Sequence, residues 1–464
     1  DETFNSGVRD TQLESPDLSK LSVKSIIVDG EEKLFIEWPV VYGAGGYKFS
    51  LYIVNDPENP IVVGEGDQVV DGCSVTREKL EDTKYEVVVQ TLGNEKDNNK
   101  GALSATKGQF NTFVPTVAII PDGADLAEWF AENPVKKSDT EQGYELVAGG
   151  SYTLNGTVDL GGHWLTLHGT KGDNPKITYG EEGKLSTWGG LKLKYIDFDC
   201  SAIPAGKTGG ALLTLGDTPN DSIKGEGDHY FIENEIGIQG CEVTGINQHL
   251  VYDNKVKYCA KRFRIQNSVI NINSTKETIF FEGGFANEIY LIQNTFNGLV
   301  ESSSYLVKYN NSGRPARAGL TGGLTINNNT FYNVVKNGKM GNYSGMDHAS
   351  ASFTMGENIF VDCSSGLAAR HFLPGGNVRN NALSFGINSY LFDGKYVPGE
   401  ASYDTSGKIV GAACYDKEKP SDTECADQTA NPQFRDPAKG DFTVRGAEHL
   451  TNRLGDPRWL PAVE

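Results

Sequence analysis

Four stretches of the chain share one pattern of polar and apolar positions. They read "RIQNSVINI" (264–272), "LIQNTFNGL" (291–299), "INNNTFYNV" (326–334) and "MGENIFVDC" (355–363). Each has an asparagine at the position that we number zero: Asn267, Asn294, Asn329 and Asn358. Position +2 is apolar in every copy: Val269, Phe296, Phe331 and Phe360. Position +5 is apolar as well: Ile272, Leu299, Val334 and Cys363. The pattern predicts short strands with inward apolar columns and a bend at each zero position, beside a neighbour that accepts the left-handed backbone conformation.

Two further stretches fit the pattern, "GCEVTGI" with Cys241 at zero and "NNALSFG" with Asn381 at zero, except that Gly386 breaks the +5 column in the second. Position −3 is apolar in five of the six copies: Ile238, Leu291, Ile326, Met355 and Val378. The exception is Arg264, for which we predict a bulge that offsets the strand. A strand-rich repeat of 23 to 35 residues is typical of a solenoid, whose turns bury apolar side chains only by stacking. Asparagines stacked in register are expected to bond to one another along the axis.

Over residues 144–445 this pattern resembles the right-handed parallel β-helix of pectate-lyase-like proteins. The stretch "NPQFRDPAKGDFTVR" (431–445) looks like the closing segment of bacterial β-helix proteins. Residues 446–464 follow it as a C-terminal tail.

Residues 18–113 have a different pattern, with short alternating strands such as "KLFIEWPVV" (33–41) and "KYEVVVQTL" (84–92) between Gly and Asn turns. Trp38 and Tyr47 are expected in the core of this region. Leu80 lies five residues before Tyr85, which is the arrangement of the tyrosine corner in fibronectin type III domains. The region therefore resembles a fibronectin type III β-sandwich, preceded by a flexible N-terminal segment, residues 1–17.

Residues 114–143 are predicted to form a linker and a short capping helix. Asp125 is positioned to cap a helix that carries Leu126, Trp129 and Phe130. The predicted fold class is all-β: an N-terminal fibronectin type III-like β-sandwich followed by a right-handed parallel β-helix.

The order of a fibronectin-like module, a short helix after "IPDG" (120–123) and a β-helix is similar to that of surface lipoproteins of glycan-foraging gut bacteria. This resemblance implies that the protein handles polysaccharide outside the cytoplasm, as a cell-surface lipoprotein or a secreted protein. Contact with the outer membrane is expected only through a lipid anchor upstream of residue 1. We expect a monomer.

Composition narrows the possible partners. The chain has 42 basic and 61 acidic residues, a net charge of −19, which argues against a nucleic-acid partner because such binding needs a basic surface. No apolar run reaches membrane-spanning length. The seven cysteines are scattered without metal-site spacing. Cys414 and Cys425 flank a polar loop and are the candidates for a disulfide, and the others are expected to be buried.

Polysaccharide lyases with the β-helix fold cleave uronic-acid polymers by β-elimination, and the resemblance implies this chemistry as one possibility. The uronate carboxylate must be neutralised by Ca²⁺ or arginine, and a base must take a proton from carbon. Lys308, on the strand-like "SYLVKY" (304–309), is our preferred base. Arg314 and Arg317 follow it within the longest interval, which predicts an inserted loop. The other catalytic candidates are two adjacent pairs that would face the same groove if the turns stack in register: Asp347 with His348, and Arg370 with His371.

The densest basic cluster, residues 254–264, supplies Lys261 and Arg262 as candidates for substrate binding, and Tyr305, Tyr309 and Tyr343 are candidates for stacking on sugars. Two acidic pairs would bind Ca²⁺ if their strands were neighbours: Asp197 with Asp199, and Glu233 with Glu235. Ordinary surface or core positions are the alternative for all of these residues.

Three functions remain open from the sequence. The first is a polysaccharide lyase acting on an acidic, pectin-like or glycosaminoglycan-like polymer. The second is a non-catalytic surface protein that binds a glycan in the same groove, and the third is a structural or adhesive protein. Hydrolysis ranks below elimination, because Asp347 has no acidic partner in the neighbouring repeats.

Overall fold

The computed structural model describes residues 7–28, 31–309, 320, 322–342, 351–372, 383–396, 402–403, 405, 409–411 and 431–463. The chain divides into two compact units, residues 1–115 and residues 116–464. Within the described ranges, no helix is long and apolar enough to cross a membrane.

The first unit is a β-sandwich of two antiparallel sheets. Its strands are β1 (Ser22–Val28), β2 (Glu31–Glu37), β3 (Gly46–Ile53), β4 (Ile61–Val62), β5 (Gln68–Val70), β6 (Ser74–Glu78), β7 (Lys84–Leu92) and β8 (Thr106–Asn111). One sheet has the order β1-β2-β6, and the other has the order β4-β3-β7-β8 with β5 also paired to β3.

The core of this sandwich confirms the fibronectin type III-like prediction. Trp38 is buried between Tyr47 and Phe49, with ring centroids 5.6 and 5.5 Å away. The backbone N–H of Leu80 donates to the hydroxyl of Tyr85 at 3.1 Å, which forms the predicted tyrosine corner.

The second unit consists mainly of short strands. The strands of its first half are β9 (Thr116–Ile120), β10 (Gln142–Leu146), β11 (Ser151–Leu154), β12 (Thr157–Asp159), β13 (Leu165–His168), β14 (Lys176–Tyr179), β15 (Lys184–Thr187), β16 (Leu191–Lys194), β17 (Asp197–Asp199), β18 (Ala211–Leu215), β19 (Tyr230–Ile232), β20 (Ile236–Gln239), β21 (Glu242–Ile246), β22 (His249–Tyr252) and β23 (Tyr258–Gln266). Those of its second half are β24 (Val269–Ile272), β25 (Ile279–Phe281), β26 (Phe285–Ile292), β27 (Thr295–Gly298), β28 (Tyr305–Tyr309), β29 (Gly323–Asn327), β30 (Thr330–Tyr332), β31 (Lys339–Asn342), β32 (Ser352–Gly356), β33 (Ile359–Val361), β34 (Leu383–Phe385), β35 (Ser389–Phe392), β36 (Lys395–Tyr396), β37 (Ser402–Tyr403) and β38 (Ile409–Gly411).

Three α-helices are described: α1 (Leu126–Glu132), α2 (Ala368–Phe372) and α3 (Ala447–Thr451). Asp125 caps α1 as predicted, and its carboxylate accepts from the backbone N–H of Glu128. Short 3-10 turns lie at Leu18–Lys20, Glu95–Asp97, Asp221–Ile223, Glu226–Asp228, Ser364–Gly366, Pro437–Lys439 and Pro457–Trp459.

Three long sheets with parallel pairing between successive turns form the body of this unit. Sheet A has the order β34-β32-β29-β26-β23-β20-β16-β13-β10-β9, with β19 also paired to β23. Sheet B has the order β11-β14-β17-β21-β24-β27-β30-β33-β35-β36, in which only the β35–β36 pair is antiparallel, and sheet C has the order β12-β15-β18-β22-β25-β28-β31. The chain passes through sheets A, B and C in turn. The fold class is therefore the predicted one, all-β, with a fibronectin type III-like sandwich followed by a right-handed parallel β-helix.

Inward side chains of successive turns stack in columns inside the β-helix. On sheet B, Phe296, Phe331, Phe360 and Tyr390 form one such column, with centroid distances of 5.1, 4.8 and 5.0 Å and nearly parallel rings. All four rings are almost completely buried. The predicted inward column at position +2 is confirmed at Phe296, Phe331 and Phe360.

Residues at the zero positions form a buried hydrogen-bonded ladder between sheets A and B. In each step a backbone N–H donates to the side chain of the next turn, along Cys241, Ser268, Asn294, Asn329, Asn358 and Asn388. The residue before each of the four middle members has the left-handed backbone conformation: Asn267, Gln293, Asn328 and Glu357. Bonding between stacked asparagines, next to a left-handed residue, is thus confirmed.

The frame that we predicted for the first of the four copies is wrong by one residue. Asn267 is the left-handed residue of the bend, with φ of 51°, and Ser268 is the member of the ladder. With this shift Ile270, rather than Val269, pairs with Phe296, and Ile265 pairs with Leu291. The strand pairing at Arg264 is regular, so the predicted bulge is absent there.

Two other positions also differ from the prediction. Leu299 is 54% exposed and does not belong to an inward column, whereas Val334 and Cys363 are buried. The ladder residue of the last copy is Asn388 and not Asn381, because Phe385 pairs with Met355 and thereby fixes the register. Asn381 and Val378 lie outside the described residues.

The predicted boundaries differ from the structure. Within the segment 1–17 that we predicted as flexible, Leu13 is buried and its backbone N–H donates to the oxygen of Lys100 at 2.9 Å. Sheet A begins at β9, inside the segment 114–143 that we predicted as a linker and helix. The C-terminal segment, residues 431–463, packs on the outer face of sheet B. Asp456 accepts from the hydroxyl of Thr295 at 2.7 Å and its backbone N–H donates to Thr330 at 2.9 Å.

The five cysteines that the structure describes are all free: Cys73, Cys200, Cys241, Cys259 and Cys363. All except Cys73 are buried, as predicted. Cys414 and Cys425 lie outside the described residues.

Candidate functional site

A row of side chains crosses the outer face of sheet C on three neighbouring strands. Tyr252 on β22 pairs with Phe280 on β25, and Phe280 pairs with Lys308 on β28. Side chains alternate between the two faces of a strand. The adjacent residues Val251, Ile279 and Val307 are packed in the core, which leaves Tyr252, Phe280 and Lys308 on the outer face.

Aromatic rings support Lys308 in this row. The ring of Tyr252 stacks on His249 and on Phe280, with centroid distances of 5.1 and 5.7 Å. The ammonium nitrogen of Lys308 lies 5.9 Å from the centroid of Phe280 and 4.9 Å from that of Tyr305, the distances of cation–π contacts. Since His249 and Phe280 are mostly buried, they form a fixed base under the half-buried Lys308.

A carboxylate completes the face. Glu282 lies two residues after Phe280, and its Oε2 accepts a hydrogen bond from the hydroxyl of Tyr252 at 2.5 Å. Burial, with a further contribution from Glu282, raises the pKa of Tyr252, so this phenol remains a hydrogen-bond donor at neutral pH. Burial lowers the pKa of His249, whose Nδ1 is 2.5 Å from the backbone oxygen of Glu277. We call Tyr252, Phe280, Glu282, Tyr305 and Lys308 the sheet C face.

Two described catalytic candidates, Arg370 and His371, belong to α2, which packs on β31, the strand next to that of Lys308 in sheet C. His371 Nδ1 is 2.6 Å from the hydroxyl of Ser364. The remaining catalytic candidates lie outside the described residues: Arg314, Arg317, Asp347 and His348.

The tyrosines predicted to stack on sugars lie in different environments in the structure. Tyr305 is half-buried and contacts Lys308 on the sheet C face. Tyr309 faces the core instead, where its hydroxyl donates to the backbone oxygen of Ala286 at 2.6 Å and its ring packs on Phe281. The prediction of Tyr309 as a surface residue is therefore wrong, because it lies one position from Lys308 on an alternating strand. Tyr343 lies outside the described residues.

The basic residues Lys261 and Arg262 lie on β23, in sheet A rather than sheet C. Arg262 pairs with Glu288 at 3.4 Å, and the neighbouring Arg264 pairs with Glu235 at 3.0 Å. Both guanidinium groups also lie over the ring of Tyr290. The structure thus does not bring Lys261 and Arg262 into the row with Lys308.

The four acidic residues predicted to bind Ca²⁺ do not come together. Asp197 and Asp199 lie on β17 in sheet B, whereas Glu233 and Glu235 precede β20 in sheet A. Asp199 accepts hydrogen bonds from Ser201, which lower the pKa of the Asp199 carboxyl. Glu235 forms an ion pair with Arg264. In the part of the chain that the structure describes, no group of three or more His, Cys, Asp or Glu is placed to hold a metal ion.

Sequence reasoning missed Tyr252, Phe280 and Glu282. A signal was present, since Tyr252, Phe280 and Lys308 are each 28 residues apart in the sequence. That spacing equals one turn and places the three side chains in one column. The asparagine pattern lies between sheets A and B and gives no information on the strands of sheet C.

Three family models match consecutive segments of the chain. They are DUF4992 over residues 1–150, DUF4957 over residues 150–298 and DUF5123 over residues 324–459, each described as a domain of unknown function. No curated protein matches the chain in sequence.

Two solved structures are similar to parts of the chain. One, described as "Structure of FN3tt mut", has 19% identity, spans 22% of this chain and 97% of its own, and gives a TM-score of 0.15. The other is pectate lyase Pel3 from Pectobacterium carotovorum, with 11% identity, spanning 67% of this chain and 85% of its own, and a TM-score of 0.18. At these TM-scores neither likeness informs function, and the strand pairing described above defines the fold. The chain thus joins segments similar to three families of unknown function on a fibronectin-like sandwich and a parallel β-helix.

Proposed function

We propose that the sheet C face binds an acidic, uronic-acid-containing polysaccharide outside the cytoplasm, with Lys308 as the anchor for a carboxylate. The observation that carries this proposal is the environment of the Lys308 ammonium. It is held by two aromatic rings, and within the described residues no carboxylate lies within ion-pairing distance of it.

Lys336 provides the contrast. Its ammonium also lies over an aromatic ring, that of Phe392, but it pairs with Asp393 at 3.0 Å and with Glu301 at 3.6 Å. Aromatic rings orient a cation without neutralising its charge, whereas carboxylates neutralise it. Lys308 therefore keeps a positive charge available to a ligand, in a protein whose net charge is −19.

The shape of the face suits an extended ligand. Strands of a parallel sheet stack at about 4.8 Å, so the row from Tyr252 to Lys308 runs along the β-helix axis for roughly 10 Å and continues to Asn342. A flat sheet face with a fixed cation and polar neighbours contacts several units of a linear polymer at once.

We propose that the sheet C face binds the polymer, in preference to the alternative that it cleaves the polymer by β-elimination. The contacts of Lys308 with two aromatic rings suit a cation that attracts a carboxylate, which is the role of an anchor, whereas β-elimination needs a base that takes a proton from carbon. The lyase activity that the sequence left open is the outcome to be tested alongside binding, and Ca²⁺ is a condition of that test.

The experiment uses the full chain with polygalacturonate, alginate, hyaluronan and a neutral galactan, with and without Ca²⁺. Binding is measured by affinity electrophoresis and calorimetry, and cleavage by the ultraviolet absorbance of unsaturated ends. We expect at least one acidic polymer to bind, and Lys308→Gln to weaken that binding at least about tenfold, equivalent to about 1.4 kcal/mol.

Lys336→Gln is the control, because it removes the same charge from a lysine that is already ion-paired. Absence of binding to every acidic polymer would overturn the proposal, as would equal binding by Lys308→Gln and the native protein. An increase in absorbance that Lys308→Gln abolishes would show that the face is catalytic.

A further inference from the structure

The sheet C face carries a negative group close to its positive one. Glu282 accepts its short hydrogen bond from a neutral phenol, that of Tyr252, and no cation of the described residues lies within ion-pairing distance of it. Within the described residues, no ion pair therefore neutralises this carboxylate, although Lys308 lies on the same face.

The separation of the two charges follows from the strand register. Phe280 and Lys308 are paired across adjacent strands, and Glu282 is two residues beyond Phe280. Glu282 directly follows the last residue of β25, whose Phe281 pairs with Tyr309 next to Lys308, so the backbones of Glu282 and Lys308 are on the order of 10 Å apart or less. A linear glycan bound along the row therefore presents neighbouring sugar units to the two groups.

The two groups favour different sugars. An ionised carboxylate is only a hydrogen-bond acceptor, so Glu282 binds sugar hydroxyls, while the hydroxyl of Tyr252 is already used as a donor to Glu282. A second uronate at this position would place like charges next to each other, which costs free energy even at the protein surface. A neutral sugar carries no such cost.

We propose that the face selects a heteropolysaccharide in which a uronic acid is followed by a neutral sugar, and that Glu282 is the residue that rejects a homopolymer of uronic acids. This inference rests on the proposed function and adds the class of polymer. Lys308 holds the uronate, and Glu282 together with Tyr252 holds the hydroxyls of the neutral neighbour.

The test compares two polymers on the same protein, polygalacturonate as the homopolymer and hyaluronan, in which glucuronate alternates with a neutral amino sugar. The native protein is expected to bind the alternating polymer at least about tenfold more tightly at low salt. Glu282→Gln keeps a hydrogen-bond acceptor and removes the charge, so it is expected to raise affinity for polygalacturonate about tenfold. Glu282→Gln should change the affinity for the alternating polymer by less than about threefold. Added salt should reduce the difference between the affinities of the native protein for the two polymers.

Glu242→Gln is the control, because Glu242 is exposed on sheet B and its loss changes the net charge by the same amount. Equal affinity of the native protein for the two polymers would overturn the inference, and this comparison needs no variant to fold. An affinity ratio that Glu282→Gln leaves unchanged would also overturn it.

The two proposals fail differently. If neither polymer binds, the proposed function itself fails. If both bind equally and Lys308→Gln weakens both, the acidic-glycan site stands and only the selection by Glu282 is wrong.

Discussion

The side-chain amide of Asn329 donates to that of Asn358, with 3.0 Å between Nδ2 and Oδ1, and the backbone N–H of Asn329 donates to the same oxygen at 2.9 Å. A second donation runs from Nδ2 to the backbone oxygen of Leu291 at 2.8 Å. This buried side chain thus bonds to the backbone of its own turn at Asn327 and of the preceding turn at Leu291 and Asn294, and to the side chain of Asn358 in the following turn. The asparagine ladder is part of the scaffold and is inaccessible to a ligand.

Replacing Asn329 by alanine should destabilise the β-helix by about 2–4 kcal/mol, because the backbone N–H of Asn294 loses its buried acceptor and several hydrogen bonds disappear. Urea unfolding followed by circular dichroism measures the loss. Asn273→Ala is the control, since Asn273 is exposed and makes one side-chain bond to Asn247. A loss below about 0.5 kcal/mol at Asn329 would contradict the role of the ladder.

The contrast between Val334 and Leu299 tests the inward columns. Val334→Ala should cost about 2 kcal/mol, because this side chain is 1% exposed and its removal leaves a cavity. Leu299→Ala should change the free energy of unfolding by less than about 0.5 kcal/mol, because Leu299 lies largely in solvent. Urea unfolding measures the free energy of unfolding of both variants. Equal decreases in the two variants would contradict the assignment of Val334, but not Leu299, to an inward column.

Tyr305 and Tyr309 should separate binding from stability. Tyr309→Phe removes the buried bond to Ala286 and should cost about 1 kcal/mol without changing affinity for an acidic glycan. Tyr305→Ala should weaken that affinity severalfold, because Lys308 loses one of its two aromatic contacts. Calorimetry measures the affinity of both variants and thermal unfolding measures their stability. Loss of binding in Tyr309→Phe but not in Tyr305→Ala would show that Tyr309, and not Tyr305, contributes to the binding face.

Acid should weaken the attachment of the C-terminal segment through His449. Burial lowers the pKa of His449 to about 4, below its ordinary value of 6.5, and its Nε2 lies 2.7 Å from the hydroxyl of Ser389. A lowered histidine pKa means that the folded state binds the proton less well than the unfolded state. The contribution to stability is therefore complete above pH 6.5 and decreases as the pH falls towards 4, by up to about 3 kcal/mol.

Urea unfolding of the native protein and of His449→Gln at pH 7.0, 5.5 and 4.5 checks this expectation. The difference in stability between the two proteins should shrink as the pH falls. Asp456 in the same segment has a pKa raised by burial, which makes the opposite contribution, so only the difference between native protein and variant isolates His449. A difference that is constant with pH would contradict the prediction.

The fold was predictable because its determinants are local and repeated. The tyrosine corner requires only the spacing of Leu80 and Tyr85, and the cap of α1 requires only Asp125 before an amphipathic turn. The register of single turns was harder to predict. Asn267 and Ser268 both suit a bend, and only the pairing of neighbouring strands determines which of them joins the ladder.

The site was predictable in part. Lys308 and Tyr305 were candidates because of their strand and their chemistry, but Phe280 and Tyr252, which complete the row, come from turns 28 and 56 residues earlier in the sequence than Lys308. The acidic pairs on β17 and before β20 could not be assigned from alternation alone, because alternation gives the face of a strand but not the sheet to which the strand belongs.

The C-terminal segment gives the β-helix a form of cooperativity that its repeats alone lack. In a solenoid each turn contacts only its neighbours, so the end turns can open independently of the rest. Here Thr295, Thr330 and Ser389 belong to different turns, and each is bonded to the same segment through Asp456, Trp459 or His449. Opening any of these turns breaks bonds to a segment that the others also hold. The last four turns should therefore exchange their amide hydrogens as one unit, while the turns that this segment does not reach exchange with a gradient along the axis.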